Sequence, residues 1–408
     1  MQIKSVSYKE KEKILSHALL QAKSLTTKES FTGTSPAPFV GRFGYPNVNV
    51  GILAPTEHDE NAWQYDAPNK WAEENLGIRE IVEYRVRMVN NRFVSNIKQT
   101  DKLVEIAQDV AMSKKAIDVD VELDKKPGLR ISTDQWVAPM GPQAKLKKLA
   151  LSSNPKIPSK VQKCYDDTDL LAADALKYLY KKEIDENALM RMLSVGSFGK
   201  AKNRKLVPTR WSITATDDII SKDLLMQIKD CPIGDYAVYF GSYLGNYYLL
   251  LCFPEIWSYE LFEMYCETGK NAWKNGEIAN ALHNRQTLEY STDYEDFNGR
   301  KTYAETCAGG YYTVRLAIAE HFKKIKRQHS VLALRFITDE YVLPLGVWVT
   351  REATRKALIN HPITFGSKEL MLSYAKQLAK KKFGVNIQQI LKQSKLLKEK
   401  QKSLHAFG

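Results

Sequence analysis

The spacing of apolar residues changes along the chain between two periods, one close to 3.6 residues and one of two residues. The first is typical of a helix with one buried face, and the second of a half-buried strand. Helices are therefore predicted around residues 14–22, 95–115, 168–184 and 311–328. Strands are predicted over residues 116–126 and 331–337, and two aromatic strands around a short glycine-containing turn over residues 236–253.

Three further segments have less regular patterns. Residues 78–91 fit either a strand or a helix, and residues 341–358 run from a strand into a helix. In residues 211–215, apolar and polar positions alternate, which predicts a strand that packs in the core. Asp217 and Asp218 would then cap the helix that follows this strand.

The order of these elements predicts the fold class. Strands and helices follow one another without a regular alternation, which indicates an α+β protein with one large or two closely packed domains. A proline-punctuated connecting segment, 127–160, separates an N-terminal α+β region, 1–126, from a main α+β domain, 161–380. Residues 381–408 contain seven lysines and a single acidic residue, and they predict a flexible basic tail.

Composition narrows the class of partner. The chain has 408 residues, and 60 Lys and Arg against 47 Asp and Glu give it a formal charge of +13. Such an excess favours polyanionic partners, above all nucleic acid, without identifying any of them. The five cysteines are scattered without a CxxC pair, which predicts reduced thiols in a cytoplasmic protein, with no bound metal or other cofactor. No stretch approaches the roughly 18 apolar residues of a membrane span, so no membrane partner is expected.

The densest combination of positive charge with an aromatic residue lies in GSFGKAKNRKLVPTRWSITATDD, residues 196–218. Cations bind phosphates and an aromatic ring stacks on a base, and a nucleic-acid site uses both. The predicted nucleic-acid-binding residues of this segment are Lys202, Arg204, Lys205, Arg210 and Trp211. The alternative is a basic surface loop that leads into a core strand.

Two other segments have similar chemistry. In FVGRFGYPNVNVG, residues 39–51, Arg42 lies between two glycines and is followed by Tyr45, so that the segment can hold a phosphate and stack a base. The alternative is a tight turn with a surface arginine. In ETCAGGYYTVR, residues 305–315, two glycines precede a helix whose free N–H groups can bind an anion. Cys307 of this segment is a candidate nucleophile without an identifiable base.

The sequence contains no P-loop, EF-hand, HExxH or GxSxG motif. An enzyme acting on nucleic acid or a nucleotide stays open as the alternative to a binding protein. Its acid, base or metal ligand would come from Asp217, Asp218 or Glu305. Convergence of Arg42, Arg204, Arg210 and Gly310 on one concave site would favour the enzyme, whereas a broad basic face would favour binding.

The three segments 39–51, 196–218 and 305–315 resemble the archaeal Nre family of DNA repair proteins. The same resemblance extends to PGLRISTDQWVAPMGP (127–142) and LGVWVTREATRKAL (345–358). The resemblance covers nearly the full length, and NRKLVPTRWSITATDD (203–218) is its most specific signature. It implies a role in the repair of DNA damage and binding to the replication sliding clamp, PCNA, through a C-terminal PIP motif. Many members begin with a four-cysteine cluster thought to bind zinc. This chain has no cysteine before Cys164, so zinc is not carried over.

The last eight residues, QKSLHAFG, fit the PIP motif, which has the pattern Q-x-x-apolar-x-x-aromatic-aromatic. The clamp-binding residues predicted from it are Gln401, Leu404, Phe407 and Gly408. In a 3₁₀ turn, residues three apart project to the same side, so Leu404 and Phe407 can enter one apolar pocket. Gly408 departs from the pattern because an aromatic residue usually stands there. Since burial of a Phe is worth roughly 1.5–3 kcal/mol, this departure predicts binding about tenfold weaker than that of a full motif.

Overall fold

The computed structural model describes residues 8–129, 139–266 and 289–398. The chain divides by its contacts into two compact units. The N-terminal unit is Glu12–Ile220, and the C-terminal unit is Ser221–Gly408 with Met1–Lys11. The described residues of each unit form one mixed six-stranded sheet with helices, so the predicted α+β class is confirmed. No described helix is long and apolar enough to cross a membrane.

The first part of the chain, up to residue 228, contains eight described α-helices and six strands. The helices are α1 (Tyr8–Lys23), α2 (Pro68–Glu73), α3 (Ile78–Val86), α4 (Lys102–Met112), α5 (Ser159–Asp166), α6 (Ala172–Lys181), α7 (Glu186–Ser194) and α8 (Thr209–Ile228). The strands are β1 (Ser30–Ser35), β2 (Ala37–Val40), β3 (Asn47–Ala54), β4 (Val89–Asn96), β5 (Ile117–Leu123) and β6 (Gln143–Leu151). Short 3₁₀ helices occur at Ser24–Thr26, Ala62–Asp66 and Ala201–Asn203.

The sheet of the N-terminal unit has the strand order β1-β5-β6-β4-β3-β2. Only the pair β4–β6 is parallel, and the other neighbours are antiparallel. In β5 the alternation predicted from the sequence is confirmed, because every second residue from Ile117 to Leu123 is buried. In β3, Val48, Val50 and Ile52 are buried on one face, and Leu53 on the other face belongs to a core cluster with Ala62, Tyr65 and Met88.

The remaining part of the chain holds the elements of the C-terminal unit. The strands are β7 (Tyr236–Tyr243), β8 (Asn246–Phe253), β9 (Ser258–Cys266), β10 (Tyr290–Glu295), β11 (Ser330–Thr338) and β12 (Ile363–Phe365). The helices are α9 (Ala308–Ile325), α10 (Trp348–Ile359), α11 (Lys368–Phe383), α12 (Gln388–Gln393) and α13 (Lys395–Lys398). The strand order is β10-β9-β11-β8-β7-β12, with β9 and β11 parallel and the other pairs antiparallel.

Both faces of this second sheet are covered. Residues of α11, α12 and α13 pack on one face, where the core includes Leu249, Leu251 and Phe336. On the other face, His321 of α9 contacts Tyr239 with the ring centroids 4.9 Å apart. All eight residues of β8 are buried as a result, which explains the continuous apolar run from Tyr247 to Phe253. The predicted hairpin is confirmed, with Leu244 and Gly245 at positive φ in its turn.

Several predictions of local structure need correction. Residues 211–215 belong to α8 rather than to a strand, and Asp217 and Asp218 lie within this helix rather than ahead of its first turn. The residues that α8 buries, among them Ser212, Thr216 and Ile220, are four apart and follow its helical period. The ambiguous segment 78–91 contains the whole of α3 and the start of β4. Residues 341–347 form no strand ahead of α10.

The predicted flexible tail is wrong for residues 385–398. Ile387, Ile390, Leu391 and Leu396 are buried against the sheet of the C-terminal unit and belong to its core. The stretch contains three lysines, Lys392, Lys395 and Lys398, and these four apolar residues pack in the core between and beside them. The boundary between the two units, at residue 220, does not coincide with the predicted connecting segment, 127–160. This segment contains β6, which pairs with β5 and β4.

Candidate nucleic-acid interface

The structure brings together two segments that are about 160 residues apart in the sequence, the β2–β3 turn and the start of α8. Ile97 joins them through its backbone. Its N–H donates to the carbonyl oxygen of Pro46 at 2.9 Å, and its own carbonyl accepts from the N–H of Leu206 at 2.8 Å. A third bond runs from the N–H of Val40 to the Thr209 hydroxyl at 2.9 Å. The sequence did not indicate that these two candidate segments share one surface.

The start of α8 is fixed by local backbone geometry. Pro208 precedes the helix, and its carbonyl accepts from the N–H groups of Trp211 and Ser212 at 2.8 and 3.0 Å. The loop before it is held against the end of α7, because the N–H of Val207 donates to the carbonyl of Ser194 at 2.8 Å. Gly196 makes this packing possible, since a Cβ at its position would lie 2.7 Å from the Lys205 carbonyl oxygen.

The aromatic rings of the two segments meet at the surface. The centroids of Tyr45 and Trp211 are 5.7 Å apart, with an angle of 52° between the ring planes. Trp211 is 48% exposed, Tyr45 is 47% exposed and Phe43 is 74% exposed. Such a group of accessible π-faces is what the stacking of unpaired bases requires.

Positively charged side chains accompany these rings. Arg42, Lys202, Lys205 and Arg210 are all exposed. The guanidinium of Arg42 lies 4.8 Å from the centroid of the Phe43 ring, in a cation–π contact. Arg210 belongs to the first turn of α8, where the positive end of the helix dipole adds to its charge. We call Arg42, Phe43, Tyr45, Lys205, Arg210 and Trp211 together the aromatic–cationic surface.

Arg204 has a different environment from the other predicted cations. Its Nε donates to the carbonyl of Gly199 at 2.8 Å, and its Nη2 donates to the carbonyl of Asp167 at 2.8 Å. The guanidinium also lies 5.3 Å from the centroid of the Tyr165 ring. Arg204 therefore joins the 197–204 loop to the end of α5, and its replacement would disturb that loop.

The sequence reasoning missed two apolar residues of the same unit. Phe39 of β2 is 37% exposed and Val94 of β4 is 66% exposed. Phe39 lies opposite Gly51 of β3, and Val94 lies opposite Asn49 of β3, on neighbouring strands next to the Arg42 turn. A signal was present in the sequence, because an apolar residue out of phase with the buried positions of a strand projects from its exposed face.

The acidic residues of the alternative enzyme are divided between the two units. Asp217 is buried within α8, and Glu305 is an exposed residue of the C-terminal unit. Gly310, the fourth residue proposed for a concave site, also belongs to that other unit. Within the N-terminal unit, Arg42 and Arg210 are exposed side chains of the two segments that the Tyr45–Trp211 contact brings together.

Gly309 and Gly310 lie in the first turn of α9 rather than ahead of it, and a carboxylate of the chain binds the backbone immediately before this helix. Asp293 accepts hydrogen bonds from the backbone N–H groups of Glu305, Thr306 and Cys307 at 3.1, 2.9 and 2.7 Å. A carboxylate of the chain itself therefore occupies this position. Burial raises the pKa of the Cys307 thiol far above its ordinary value, which makes it a poor nucleophile. In the described ranges, no group of three or more His, Cys, Asp or Glu residues is placed to hold a metal ion.

Two models of one protein family match this chain. The model "Archaeal Nre, N-terminal" matches residues 9–273, and "Archaeal Nre, C-terminal" matches residues 295–407. The chain belongs to the archaeal Nre family. The resemblance noted in the sequence is thus confirmed, and both halves of the aromatic–cationic surface lie within the N-terminal match.

Three curated relatives of this Nre protein have 34% identity to it. The DNA repair protein NreB of Archaeoglobus fulgidus matches over 86% of this chain and 85% of its own length, and the DNA repair protein NreA of the same organism over 85% and 84%. The DNA repair protein NreA of Haloferax volcanii matches over 80% and 77%. No solved structure matches the chain.

Proposed function

We propose that this Nre protein acts in DNA repair by contacting unpaired DNA with its aromatic–cationic surface, and that the sliding clamp recruits it through its C-terminal motif. Membership of the family and the names of its curated relatives support the repair role. The observation that carries the DNA contact is the exposed Tyr45–Trp211 pair, in the same two segments as the exposed Arg42 and Arg210.

The proposed surface suits single strands better than duplex DNA. Base faces are accessible to an aromatic side chain only where the bases are unstacked, as in a gap, a flap or an opened lesion. The phosphates of a single strand then lie within reach of nearby cations. We therefore expect this protein to prefer single-stranded DNA or a junction with a single-stranded arm over intact duplex.

The experiment that tests this proposal is a binding titration with a fluorescent single strand of about 12 nucleotides, within the range that one small binding face covers. Stacking contributes about 1–3 kcal/mol per base, so the double variant Tyr45→Ala, Trp211→Ala should bind at least about fivefold more weakly. Trp63→Ala is the matched control, because Trp63 is 42% exposed in the same unit but outside this surface. Equal losses in both variants, or none in either, would remove the surface from the DNA site.

The clamp part of the proposal rests on the sequence of the tail. Gln401, Leu404, Phe407 and Gly408 lie outside the described residues. The C-terminal family match extends to residue 407, so that it includes the apolar and aromatic positions of the motif. The motif starts three residues after the end of α13, and Lys398, Lys400 and Lys402 add attraction towards an acidic partner surface.

A further inference from the structure

The strands of the N-terminal unit form a barrel. β1 and β2 lie at the two ends of the strand order, yet only Pro36 separates them along the chain. Because β1 pairs with β5 and β2 pairs with β3, this bent segment joins the two ends of the sheet. The ends approach closely at Gly33 of β1, where a Cβ would lie 1.9 Å from the carbonyl oxygen of Pro55, directly after β3. With β1 and β2 counted as one strand, the described barrel has five strands.

The connections between these strands are those of an OB fold. The barrel order is 1-2-3-5-4-1 when β1 with β2 is strand 1 and β3, β4, β5 and β6 are strands 2 to 5. Strands 3 and 5 form the parallel pair, and α4 lies between strands 3 and 4 in the chain. OB folds bind oligonucleotides on the outer face of strands 2 and 3 and with the loop between strands 1 and 2. In this chain that face belongs to β3 and β4, and that loop is the β2–β3 turn with Arg42, Phe43 and Tyr45.

The outer face of β3 and β4 is open beside this turn. Alternate residues of β3 fill the barrel, so the residues between them point outward. One outward residue, Asn49, lies opposite Val94 of β4, which is exposed. Another, Gly51, lies between Phe39 of β2 and Arg92 of β4. Phe39 is exposed and Arg92 is half-buried. Phe39, Arg92 and Val94 therefore lie on one accessible face.

This face combines a ring with positive charge, as the aromatic–cationic surface does. In the part of the chain that the structure describes, no carboxylate forms an ion pair with Arg92. Lys98, in the loop after β4, is exposed, and its neighbour Ile97 bonds to the backbone of Pro46 and Leu206. Arg92 lies five residues before Ile97, which is about 17 Å along an extended strand. A strand of several nucleotides can therefore contact both surfaces, since one OB fold covers about 4–16 nucleotides.

We propose that a single DNA strand bound at the aromatic–cationic surface continues across the outer face of β3 and β4, where Phe39 stacks on a base and Arg92 binds a phosphate. Val94 lies on β4 between Arg92 and the turn, so the strand passes over its side chain. A cation and an accessible ring provide the two kinds of contact that an unpaired strand requires. The positive charge favours a nucleic acid over the oligosaccharides that other OB folds bind. The inference rests on the DNA contact proposed above and assigns further residues to it.

The first test replaces Val94, because a substitution at an exposed position changes stability little. Val94→Glu places a negative charge beneath the proposed path of the strand, and Val94→Gln is the uncharged variant of similar size. In a titration of the full chain with a fluorescent single strand of about 12 nucleotides, Val94→Glu should bind at least about tenfold more weakly than Val94→Gln, because like charges in contact repel. Leu20→Glu adds the same charge at an exposed residue of α1 and should change the affinity less than about twofold.

The second test removes the two proposed contacts. The double variant Phe39→Ala, Arg92→Gln should bind the same strand at least about tenfold more weakly than the wild-type chain, since it loses one stacked base and one phosphate contact. The variant Phe39→Trp, Arg92→Lys keeps a ring and a charge at these positions and should retain binding within about threefold. It guards against a loss that comes from a disturbed barrel.

Comparison with the variant Tyr45→Ala, Trp211→Ala separates this inference from the DNA contact on which it rests. If that variant loses affinity while Phe39→Ala, Arg92→Gln does not, the strand does not cross the β3–β4 face and the inference is overturned. If only the β3–β4 variants lose affinity, this face is a DNA site and the aromatic–cationic contact is the part that fails. Equal affinities of Val94→Glu and Leu20→Glu would also overturn the inference.

Discussion

Tyr45 and Trp211 leave about half of their side chains in water, whereas Trp71, Trp257 and Trp348 of the same chain are buried. An exposed aromatic residue forgoes roughly 1.5–3 kcal/mol of burial energy, and isolated cases need no explanation. Here Phe43 adds a third exposed ring in the same turn as Tyr45. A group of this kind indicates a surface that contacts a partner. The exposed arginines indicate that this partner is an anion.

The cations of this surface make a prediction about salt. Each phosphate contact that is lost lowers the slope of log affinity against log salt by about 0.7 for a single strand. The double variant Arg42→Gln, Arg210→Gln should therefore show a slope smaller by about 1.4, together with weaker binding at low salt. Binding isotherms at a series of salt concentrations measure this slope directly.

Lys147→Gln serves as the control for that measurement. The Lys147 ammonium pairs with Glu122 on the sheet of the same unit, so it already has a protein partner. We expect this variant to keep the wild-type slope. A double variant whose slope equals that of the wild-type chain would mean that Arg42 and Arg210 do not contact phosphates.

At the scale of elements, patterns of period two and 3.6 identified most helices and strands, but they failed where polar residues are buried. α8 buries Ser212, Thr216 and Ser221 along its length. Because these hydroxyl residues count as polar, the alternation of apolar and polar positions at the start of α8 resembled the pattern of a strand. The positions of Arg42, Tyr45 and Trp211 on one surface could not be predicted either. That proximity depends on backbone bonds to Ile97 between distant segments, which no local pattern records.

The docking of the last described helix shows how a lysine-rich stretch can be ordered. Glu260 of β9 is buried, and its carboxylate accepts from the Ser394 hydroxyl and from the N–H groups of Lys395 and Leu396 at 3.0 and 3.1 Å. These N–H groups start α13, where the helix has no carbonyl partners of its own for them. One carboxylate thus anchors the segment that leads to the proposed clamp-binding motif.

This anchor predicts the behaviour of a variant at Glu260. A buried donor that loses its acceptor costs about 1–3 kcal/mol, and Glu260→Ala removes the acceptor of three donors. We expect residues 385–398 to detach locally, so that trypsin cleaves after Lys392, Lys395 or Lys398 several times faster than in the wild-type chain. Glu369→Ala, at an exposed carboxylate at the start of α11, should leave cleavage unchanged. Unchanged cleavage in both variants would show that the core contacts alone hold the segment.

At the scale of the whole molecule, two histidines of the C-terminal unit predict how stability depends on pH. Burial lowers the pKa of His321 and of His329 to about 4. The unfolded chain binds protons at these side chains below about pH 6.5, whereas the folded chain does not until about pH 4. Stability should therefore fall as the pH decreases from about 6.5 to 4, with up to one proton taken up on unfolding for each histidine.

His321→Phe tests this dependence. The phenyl ring fits beside Tyr239 and Phe322, which His321 contacts at ring-centroid distances of 4.9 and 6.0 Å. The variant loses the hydrogen bond to the Tyr239 hydroxyl, so its absolute stability changes, and the informative quantity is the slope of unfolding free energy against pH. This slope should decrease by up to one proton between pH 4 and 6.5. A wild-type slope in the variant would mean that His321 does not contribute.

The two activities proposed for the molecule, DNA contact and clamp binding, reside in different parts of the chain. The first uses the N-terminal unit, and the second uses residues 401–408. Two weak contacts on one DNA-bound assembly reinforce each other, because the first raises the local concentration of the second. Recruitment should therefore depend on the clamp, the motif and the aromatic–cationic surface together.

The most direct test of this account is the affinity of the full chain for a primed DNA with a single-stranded arm, measured with and without a loaded sliding clamp. We predict that the clamp raises the affinity at least about tenfold for the wild-type chain. It should give no increase for a chain that lacks residues 401–408 or carries Phe407→Ala, while both variants keep the affinity for DNA alone. An equal increase for the truncated chain, or none for the wild-type chain, would contradict recruitment through the C-terminal motif.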